Sequence, residues 1–390
     1  MINFGIDTLL AAPPAWQKQR IGLVTNHAAT TNLLTPTREA LFKSGFNLQV
    51  LFSPEHGLDI RGADGHLVKD GTDALTGLPV ISLYNHKLAP TADDLASLDL
   101  VLFDVPDVGS RFYTYLWTLT HLMEACAKHG KKLVVLDRPN PISGNMDLAE
   151  GPMLEEAQAS FIGRWPIPIR HSCTLGELAL YFNQTRQINC TLEVIKCGGW
   201  ERNQFQPDWG VRFVPTSPAI QSFESMLLYP GLCLHEATNI SEGRGTELSF
   251  CAAGAPWMKG ESIAGILNEM GLDDVLATPV HFTSTDPNTK YCGEKCSGVA
   301  LEVREPAYFQ SVSYGLILIR LIKQLYPQDF AWKPYVTMVN PSGQQHLDKL
   351  LGIPNSEALF ELPLPQFIAA VTRLTQCRGW EKEVREFLLY

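Results

Sequence analysis

Short apolar segments separated by polar loops recur in the first part of the chain. Five of them have the length and composition of strands: 21–26, 47–52, 79–84, 98–105 and 131–137. Their hydrophobicity is nearly continuous, which is typical of strands buried on both faces of a parallel sheet. Helical patterns follow the first and fourth strands, at 35–45 and 114–130. The alternation predicts an α/β fold, a doubly wound parallel sheet built from right-handed βαβ units.

Every one of these predicted strands ends in polar residues. The exits are Asn26 with His27, Glu55 with His56, Tyr84 to His86, Asp104 with Asp107 and Arg111, and Asp137 with Arg138 and Asn140. Open parallel sheets bind their ligands beyond the carboxyl ends of the strands, so five polar exits on one edge predict a site there. An Asp or Asn after a strand also caps helices or forms turns, and that alternative holds equally for Asp104, Asp137 and Asn140.

The segment LFSPEHGL, residues 51–58, carries the strongest single candidate. Glu55 follows Pro54 and precedes His56 and Gly57, and it does not begin a helical pattern. Gly57 permits a tight turn and the close approach of a ligand. We therefore expect Glu55 to be a functional carboxylate.

The second half of the chain begins with a helical pattern at 174–185 and a strand pattern at 192–200. Beyond residue 260, helical patterns at 261–271 and 313–327 and a strand pattern at 298–304 predict a second, smaller α/β unit. Thr174 and Glu177 have the spacing of a capping box, so Glu177 is expected to cap a helix. We predict a catalytic domain at residues 1–228 and a smaller C-terminal domain at 229–390 that closes a cleft.

A polar run, TNISEGRGTELSF at 238–250, places Arg244 between two glycines. An arginine in such a loop can hold a carboxylate or phosphate with two parallel hydrogen bonds. The alternative is an ion pair with Glu242 or Glu247 that fixes the loop. The sequence does not decide between the two.

Composition and charge narrow the class of protein. The chain has 390 residues and a net charge of -10, which argues against broad binding of nucleic acid or anionic membranes. The apolar runs are too short to span a membrane, and the N-terminus lacks the basic start of a signal peptide. Nine cysteines without a disulfide spacing agree with a reducing compartment. We expect a cytoplasmic protein, or a periplasmic or secreted one if a leader has been removed.

Several cofactor and catalytic motifs are missing from the sequence. It contains neither G-x-G-x-x-G nor G-x-x-x-x-G-K-[ST], so no nucleotide cofactor is expected. H-E-x-x-H and G-x-S-x-G are also absent, which weakens metalloprotease and serine-hydrolase interpretations. We expect no metal.

Longer motifs occur together and in order. They are LVTN, LFSPEHG, TGLPVISLY, FDVPDVGSRFYTY, VVLDRPNPISG, EGP, TLGELA, YPG, TNISEGRGTE, GAPW and FLLY. In these motifs the chain resembles the NamZ (YbbC-like) family of exo-β-N-acetylmuramidases over nearly its whole length. One departure is Pro106, where the family motif F-D-I-Q-D-V-G has Gln.

The resemblance implies an enzyme that removes N-acetylmuramic acid from the non-reducing end of peptidoglycan fragments. It also implies a Rossmann-like domain joined to a smaller α/β domain, a site in the cleft between them and no nucleotide. Glu55 corresponds to the proposed catalytic acid of the family. His56 would orient Glu55 or bind sugar hydroxyls.

The second catalytic group stays open between two candidates. Asp107 is one, as a base or nucleophile, and the acetamido oxygen of the substrate is the other, oriented by Asp104 or Asp107. The lactyl carboxylate of muramic acid would bind Arg111, Arg138 or Arg244. One of Tyr113, Tyr115 and Trp117 would stack on a sugar, with Tyr113 as the predicted substrate contact and Trp117 expected in the core. The predicted substrate contacts also include Asn26, Asp137, Asn140 and Glu242.

Two other functions remain possible at this point. One is a non-catalytic protein that binds peptidoglycan or amino sugars on the same scaffold. The other is an enzyme of nucleotide sugars or sugar phosphates that uses the loop around Arg244 for phosphate. The pair Glu55 and His56 favours catalysis over binding alone.

Overall fold

The fold is built on a sheet of seven strands in the computed structural model, which describes residues 1–62, 66–271, 274–337 and 340–390. The strands are β1 (Ile21–Thr25), β2 (Leu48–Ser53), β3 (Gly71–Thr72), β4 (Pro79–Ser82), β5 (Leu100–Asp104), β6 (Lys132–Leu136) and β7 (Thr191–Ile195). Their order is β3-β4-β2-β1-β5-β6-β7, and each neighbouring pair is parallel except β3 with β4. The predicted doubly wound parallel sheet is confirmed, and its strand order reverses at β1 and β5.

Helices connect the parallel strands and cover the sheet. They are α1 (Gly5–Ala11), α2 (Thr37–Lys43), α3 (Ala92–Ala96), α4 (Tyr115–Lys128) and α5 (Leu175–Thr185). At the start of α5, Thr174 accepts a bond from the Glu177 N–H while the Glu177 carboxylate accepts one from the Thr174 N–H. The predicted capping box is therefore confirmed.

Alternate residues of each central strand enter different cores. In β5, Leu100 and Leu102 pack into the cluster on the α1 side, whereas Val101 and Phe103 pack into the cluster on the α4 side. A strand with two buried faces needs apolar residues at consecutive positions. This is the physical origin of the continuous runs in the sequence.

A second sheet lies in the C-terminal half and is antiparallel. Its strands are β8 (Ala252–Ala255), β9 (Val275–Phe282) and β10 (Cys296–Val303), in the order β8-β10-β9. The helices around it are α6 (Phe223–Leu232), α7 (Gly260–Glu269), α8 (Ser311–Leu325), α9 (His346–Leu351), α10 (Leu364–Thr375) and α11 (Trp380–Val384). Short 3₁₀ helices complete the chain, among them Cys233–Ala237.

The two halves share one core. The cluster on the α4 side continues through side chains of α6, α8 and α9. The predicted border between residues 228 and 229 falls inside α6, and the division into two domains stays a prediction. Among the residues that the structure describes, no helix combines the length and the apolar character that a membrane span needs.

Candidate active site

The chain turns sharply where β2 ends. His56 and Gly57 have positive φ angles of 66° and 79°. His56 Nδ1 lies 2.8 Å from the Gly62 carbonyl oxygen, which anchors the imidazole to the turn. Burial lowers the pKa of His56 although the negative charge of Glu55 opposes it, so the ring is neutral at neutral pH. The turn presents Glu55 to the space above the sheet.

Thr114 holds Glu55, which is only 6% exposed. Thr114 Oγ1 donates to Glu55 Oε2 at 2.6 Å. Tyr84 lies nearby, and burial together with the charge of Glu55 raises the pKa of Tyr84, so the phenol stays protonated. Thr114 precedes α4 but makes no capping bond within it. Its hydroxyl donates a hydrogen bond to Glu55 instead.

Glu55 lies on the wall of a cavity between the two halves of the chain, with about 780 Å³ of empty space. Both halves contribute to the lining, with Glu55, His56, Tyr84, Phe112, Tyr113, Thr114, Phe161 and Ile162 from the first and Glu236, Arg244, Phe250, Tyr335, His346 and Lys349 from the second. Apolar and aromatic walls with a few polar groups are typical of small-molecule sites. Within the described residues, no group of three or more His, Cys, Asp or Glu side chains is placed to hold a metal ion.

The loop around Arg244 requires its glycines. Gly243 and Gly245 have φ angles of 78° and 75°. A Cβ atom at Gly243 would lie 2.3 Å from the Leu248 carbonyl oxygen, and one at Gly245 would lie 2.2 Å from Ser284 Oγ. The tight loop directs Arg244 into the cavity, where its guanidinium carbon lies 4.6 Å from the centre of the Phe250 ring.

Arg244 belongs to a cluster of four charged side chains, which we call the Arg244 cluster: Glu236, Glu242, Arg244 and Lys290. Arg244 Nη2 donates to Glu236 Oε1 at 2.5 Å, and Arg244 Nε lies 3.2 Å from Glu242 Oε1. Lys290 Nζ donates to Glu242 Oε2 at 2.8 Å. The ion-pair interpretation of the loop describes these contacts. Arg244 also lines the cavity, and its binding of a ligand anion stays a prediction.

Glu236 is the member of this cluster with the most perturbed acidity. Burial, reinforced by the charge of Glu242, raises the pKa of Glu236 to about 8. The contact from Arg244 favours the ionised form of Glu236, but Arg244 is shared with Glu242. We infer that burial has the larger effect on the pKa of Glu236. His346 Nε2 lies 2.9 Å from Glu236 Oε2, and burial lowers the pKa of His346 to about 3. This contact is then a hydrogen bond from a neutral acid to a neutral ring.

The cluster consequently has an excess of positive charge at neutral pH. With Glu236 protonated, the two cations Arg244 and Lys290 face a single carboxylate, that of Glu242. We infer that these four side chains together carry one net positive charge. Such a site favours an anionic group of a ligand.

Four of the residues predicted from the sequence meet in this cavity. They are Glu55, His56, Tyr113 and Arg244. Tyr113 is fixed there by its hydroxyl, which donates to Thr216 Oγ1 at 2.9 Å. Glu242 is not among the residues that line the cavity, but it lies against Arg244, which does line it.

Asp104 and Arg138, predicted as substrate contacts, bind each other instead. Arg138 Nε and Nη2 donate to the two oxygens of Asp104 at 2.5 and 2.9 Å, and Thr37 Oγ1 also donates to this carboxylate. Both side chains are buried. We infer a structural role for the pair, because each buried charge is neutralised by the other.

Arg111, also predicted to bind substrate, is fully buried. It donates hydrogen bonds to the carbonyl oxygens of Pro152, Ile167 and Leu350 at 2.7, 2.8 and 2.7 Å. Leu350 belongs to the second half of the chain, so Arg111 ties the two halves together. We assign Arg111 to the scaffold that sets the width of the cavity.

Three further strand-exit residues stabilise turns and caps. Asp137 accepts bonds from Thr174 Oγ1, the Gly176 N–H and the Tyr390 hydroxyl, and burial raises its pKa to about 6. Asn140 accepts from the Ile142 N–H, and Asn26 from the Ala28 N–H. For Asp137 and Asn140, the alternative interpretation as caps and turns describes these contacts.

Asp107, the second predicted catalytic residue, lines a different and smaller cavity together with Arg138. Asp107 Oδ2 accepts a bond from the Gly109 N–H at 3.0 Å and lies 3.3 Å from His171 Nε2. It is not among the residues that line the Glu55 cavity.

Sequence reasoning missed Glu236, His346 and Thr114 as site residues. Glu236 lies in an otherwise apolar run, LLYPGLCLHEA at 227–237. A single carboxylate in such a run was a usable signal, since buried acids are rare without a partner. His346 and Thr114 carried no local signal, because their roles depend on contacts with residues distant in sequence.

Comparison with known proteins adds independent information. Two family models match the chain, "Exo-beta-N-acetylmuramidase NamZ, N-terminal" over residues 21–224 and "Exo-beta-N-acetylmuramidase NamZ, C-terminal" over residues 227–390. The peptidoglycan beta-N-acetylmuramidase NamZ of Bacillus subtilis (strain 168) is 42% identical over 334 residues, which cover 84% of this chain and 79% of that protein.

Two solved structures are similar over the whole chain. Both are DUF1343 family proteins from Bacteroides fragilis NCTC 9343, BF0371 with a TM-score of 0.87 and BF0379 with a TM-score of 0.75. Each is 28% identical, and each match covers 100% of this chain and 99% of the other. The fold described above is therefore shared with experimentally determined structures.

Proposed function

The chain belongs to the exo-β-N-acetylmuramidase NamZ family, and on this premise we propose that it is a glycosidase acting on peptidoglycan. It releases N-acetylmuramic acid from the non-reducing ends of peptidoglycan fragments. The observation that carries the proposal is Glu55, a buried carboxyl group on a cavity wall that is held by a hydrogen bond from Thr114.

Glu55 acts as the general acid. Glycoside hydrolysis requires a proton at the leaving oxygen and support for an oxocarbenium-like centre. Glu55 in its protonated form donates to the glycosidic oxygen as the bond to the anomeric carbon breaks. It then takes a proton from the water that attacks the anomeric carbon in the second step. His56, neutral and anchored to Gly62, keeps the turn that carries Glu55 in place.

We infer that the acetamido oxygen of the substrate is the nucleophile. Asp107 lines another cavity and is engaged with Gly109. Glu236 lines the Glu55 cavity, but its raised pKa keeps it protonated at neutral pH and thus a poor nucleophile. Attack by the 2-acetamido group is a known alternative to a second enzyme carboxylate.

The Arg244 cluster is proposed to recognise the lactyl carboxylate of muramic acid. Its net positive charge suits an anion, and a guanidinium can donate two parallel bonds to a carboxylate. N-acetylglucosamine has no such group. Of the three arginines predicted for this role, Arg244 is the one among the residues that line the Glu55 cavity.

We also propose that the protein works in a reducing compartment such as the cytoplasm. All nine cysteines are free, and unpaired thiols are typical of reducing conditions. Fractionation of cells that express the natural gene tests this directly, and recovery of the active enzyme outside the cytoplasm would contradict it.

The decisive experiment measures hydrolysis of a chromogenic β-N-acetylmuramide and of the matching β-N-acetylglucosaminide. We expect the wild type to cleave the muramide preferentially. Glu55→Gln should lower kcat by about 100-fold or more, because general acid catalysis contributes on that scale. Glu201→Gln, a change of the same kind at an exposed position, serves as the matched control and should keep full activity.

A binding measurement distinguishes a loss of catalysis from a loss of substrate recognition. Glu55→Gln should still bind the muramide, since the change conserves shape and removes only the proton donor. If the wild type binds the sugar but releases no product, the protein is a binding protein and the proposal fails. Full activity of Glu55→Gln would remove Glu55 from the mechanism.

A further inference from the structure

A second, smaller cavity lies at the place where the order of the parallel strands reverses. It has about 490 Å³ of empty space, and its lining includes Ala28 and Thr30, which follow β1, and Asp107, which follows β5. Open α/β sheets bind ligands at this place. The volume is within the range of roughly 300–1,000 Å³ that small-molecule sites occupy. We call this space the switch-point cavity.

The switch-point cavity is separate from the Glu55 cavity. None of the described residues lines both, although Thr216 lines the first and its neighbour Ser217 lines the second. The Tyr113 hydroxyl donates to Thr216 Oγ1 at 2.9 Å, and the Tyr115 hydroxyl donates to the Thr216 carbonyl oxygen at 2.9 Å. These bonds fix the wall between the two cavities. A ligand of the switch-point cavity is therefore not the substrate of the proposed reaction.

Asp107 supplies this cavity with a carboxylate that is only partly hydrogen-bonded. The residue is 8% exposed. Its Oδ2 accepts from the Gly109 N–H at 3.0 Å, whereas its Oδ1 is buried and has no hydrogen-bond partner among the described residues. His171 Nε2 lies 3.3 Å from Oδ2, but His171 Nδ1 accepts from the Cys173 N–H, so the imidazole is uncharged. A buried carboxylate without a cation is costly, and an ammonium group of a ligand would compensate its charge.

The other walls of the cavity are mainly apolar and carry a charge of the opposite sign. Phe4 and Trp209 contribute aromatic rings, and the Trp209 Nε1–H has no acceptor among the described residues. Two arginines also line the cavity. Arg138 is neutralised by Asp104, whereas Arg212 is exposed to solvent. The cavity thus offers a ligand one anionic group, one cationic group and an apolar surface.

We propose that the switch-point cavity binds a compact zwitterion, namely an amino acid with an apolar side chain. The ammonium group pairs with Asp107, the carboxylate pairs with Arg212, and the apolar side chain lies against the aromatic walls. An uncharged sugar leaves the charge of Asp107 uncompensated, and a simple carboxylate is repelled by it. The inference goes beyond the proposed function and does not depend on it.

Isothermal titration calorimetry on the full chain tests the ligand class. The probes are leucine, valine, methionine and phenylalanine in both enantiomers, and we expect at least one to bind with a Kd of about 1 mM or below. Two derivatives of the best probe should each bind about tenfold or more weakly, because each lacks one charge. They are the N-acetyl derivative, which has no ammonium group, and the amide, which has no carboxylate. N-acetylglucosamine, the uncharged sugar probe, should not displace the amino acid.

Two substitutions test the assignment of the charges. Asp107→Asn conserves the shape of the side chain and should weaken binding of the amino acid by about tenfold or more. Arg212→Gln alters an exposed position and should weaken it by about threefold. Asp107→Asn should also reduce the preference over the N-acetyl derivative, and Arg212→Gln the preference over the amide, because each variant lacks the partner of one group. Arg373→Gln, at an exposed position of α10, is the matched control and should bind as the wild type does.

Glu55→Gln distinguishes the two cavities and should bind the amino acid with wild-type affinity. Loss of binding in Glu55→Gln would place the amino acid in the Glu55 cavity and overturn the inference. So would a wild type that binds none of the amino acids, unchanged binding in Asp107→Asn or in Arg212→Gln, or displacement by N-acetylglucosamine. Because Arg212 is exposed, its variant tests the site even where Asp107→Asn does not fold. Failure of muramide hydrolysis would refute the proposed function alone, since these measurements need no turnover.

Discussion

Replacing Glu236 by Gln removes the carboxyl group whose pKa is raised from 4.5 to about 8. An unfolded chain would release this proton near pH 4.5, whereas the folded protein retains it up to about pH 8. Between these values the native state binds one proton more than the unfolded state. Its stability therefore falls as the pH rises through this window and levels off above it.

The size of the effect follows from the shift. Each pKa unit corresponds to about 1.4 kcal/mol, so ionisation of Glu236 costs the folded protein roughly 5 kcal/mol across the whole window. Gln has no proton to lose. The difference in unfolding free energy between wild type and Glu236→Gln should therefore change by about 1.4 kcal/mol per pH unit, in favour of the variant as the pH rises.

Urea unfolding followed by tryptophan fluorescence, from about pH 5 to about pH 9, measures this difference. Titrating groups that do not contact Glu236 are the same in both proteins, and their contributions largely cancel. Exposed Glu201→Gln serves as the control and should run parallel to the wild type. Parallel curves for Glu236→Gln would refute the reasoning, because they would mean that Arg244 keeps Glu236 ionised throughout.

Three further predictions concern side chains around the same cavity. Thr114→Val removes a hydrogen bond to Glu55 that is worth about 1.5–3 kcal/mol. We therefore expect kcat on the chromogenic muramide to fall by about tenfold or more, and Thr114→Ser to restore it. Equal rates for the Val and Ser variants would exclude a role for the hydroxyl. Arg111→Met leaves three carbonyl oxygens without their donor and should lower the free energy of unfolding in urea by about 3 kcal/mol or more. Unchanged stability together with lost activity would instead indicate that Arg111 binds the substrate. Arg244→Gln should lower kcat/KM for the muramide by about tenfold or more and leave the weaker hydrolysis of the glucosaminide unchanged. If the ratio of the two kcat/KM values stays the same, Arg244 does not recognise the lactyl carboxylate.

The sequence predicted the main sheet because its strands are buried on both faces. Such strands must be apolar at consecutive positions, as in β5, and a run of this kind is visible without any structure. Edge and short strands leave no such pattern. β3 has two exposed residues, β8 consists of alanine and glycine, and β9 is an edge strand that contains Pro279. These three were not predicted.

A site residue could be predicted only where its neighbours along the chain indicated its role. Glu55 lies between proline and glycine directly after a strand, and neighbouring residues alone made it a candidate. Glu236 meets His346 across 110 residues of sequence, and no local pattern reports such a contact. Asp104 and Asp137 had the right position after their strands, but Arg138 and the start of α5 occupy their oxygens.

The contacts at the strand ends explain where the cavity forms. Doubly wound sheets bind ligands where the strand order reverses, and here Asp104 and Arg138 bind each other there, with the Phe4 ring 4.6 Å from the Arg138 guanidinium carbon. Only the smaller cavity lined by Arg138 and Asp107 lies at this place, among the cavities described above. The Glu55 cavity lies beyond β2 and β4, where the C-terminal half forms the opposite wall. The proposed acid and the proposed recognition cluster thus belong to different halves of the chain. Their separation depends on the contact between those halves, which is why a scaffold residue such as Arg111 should affect catalysis without touching the substrate.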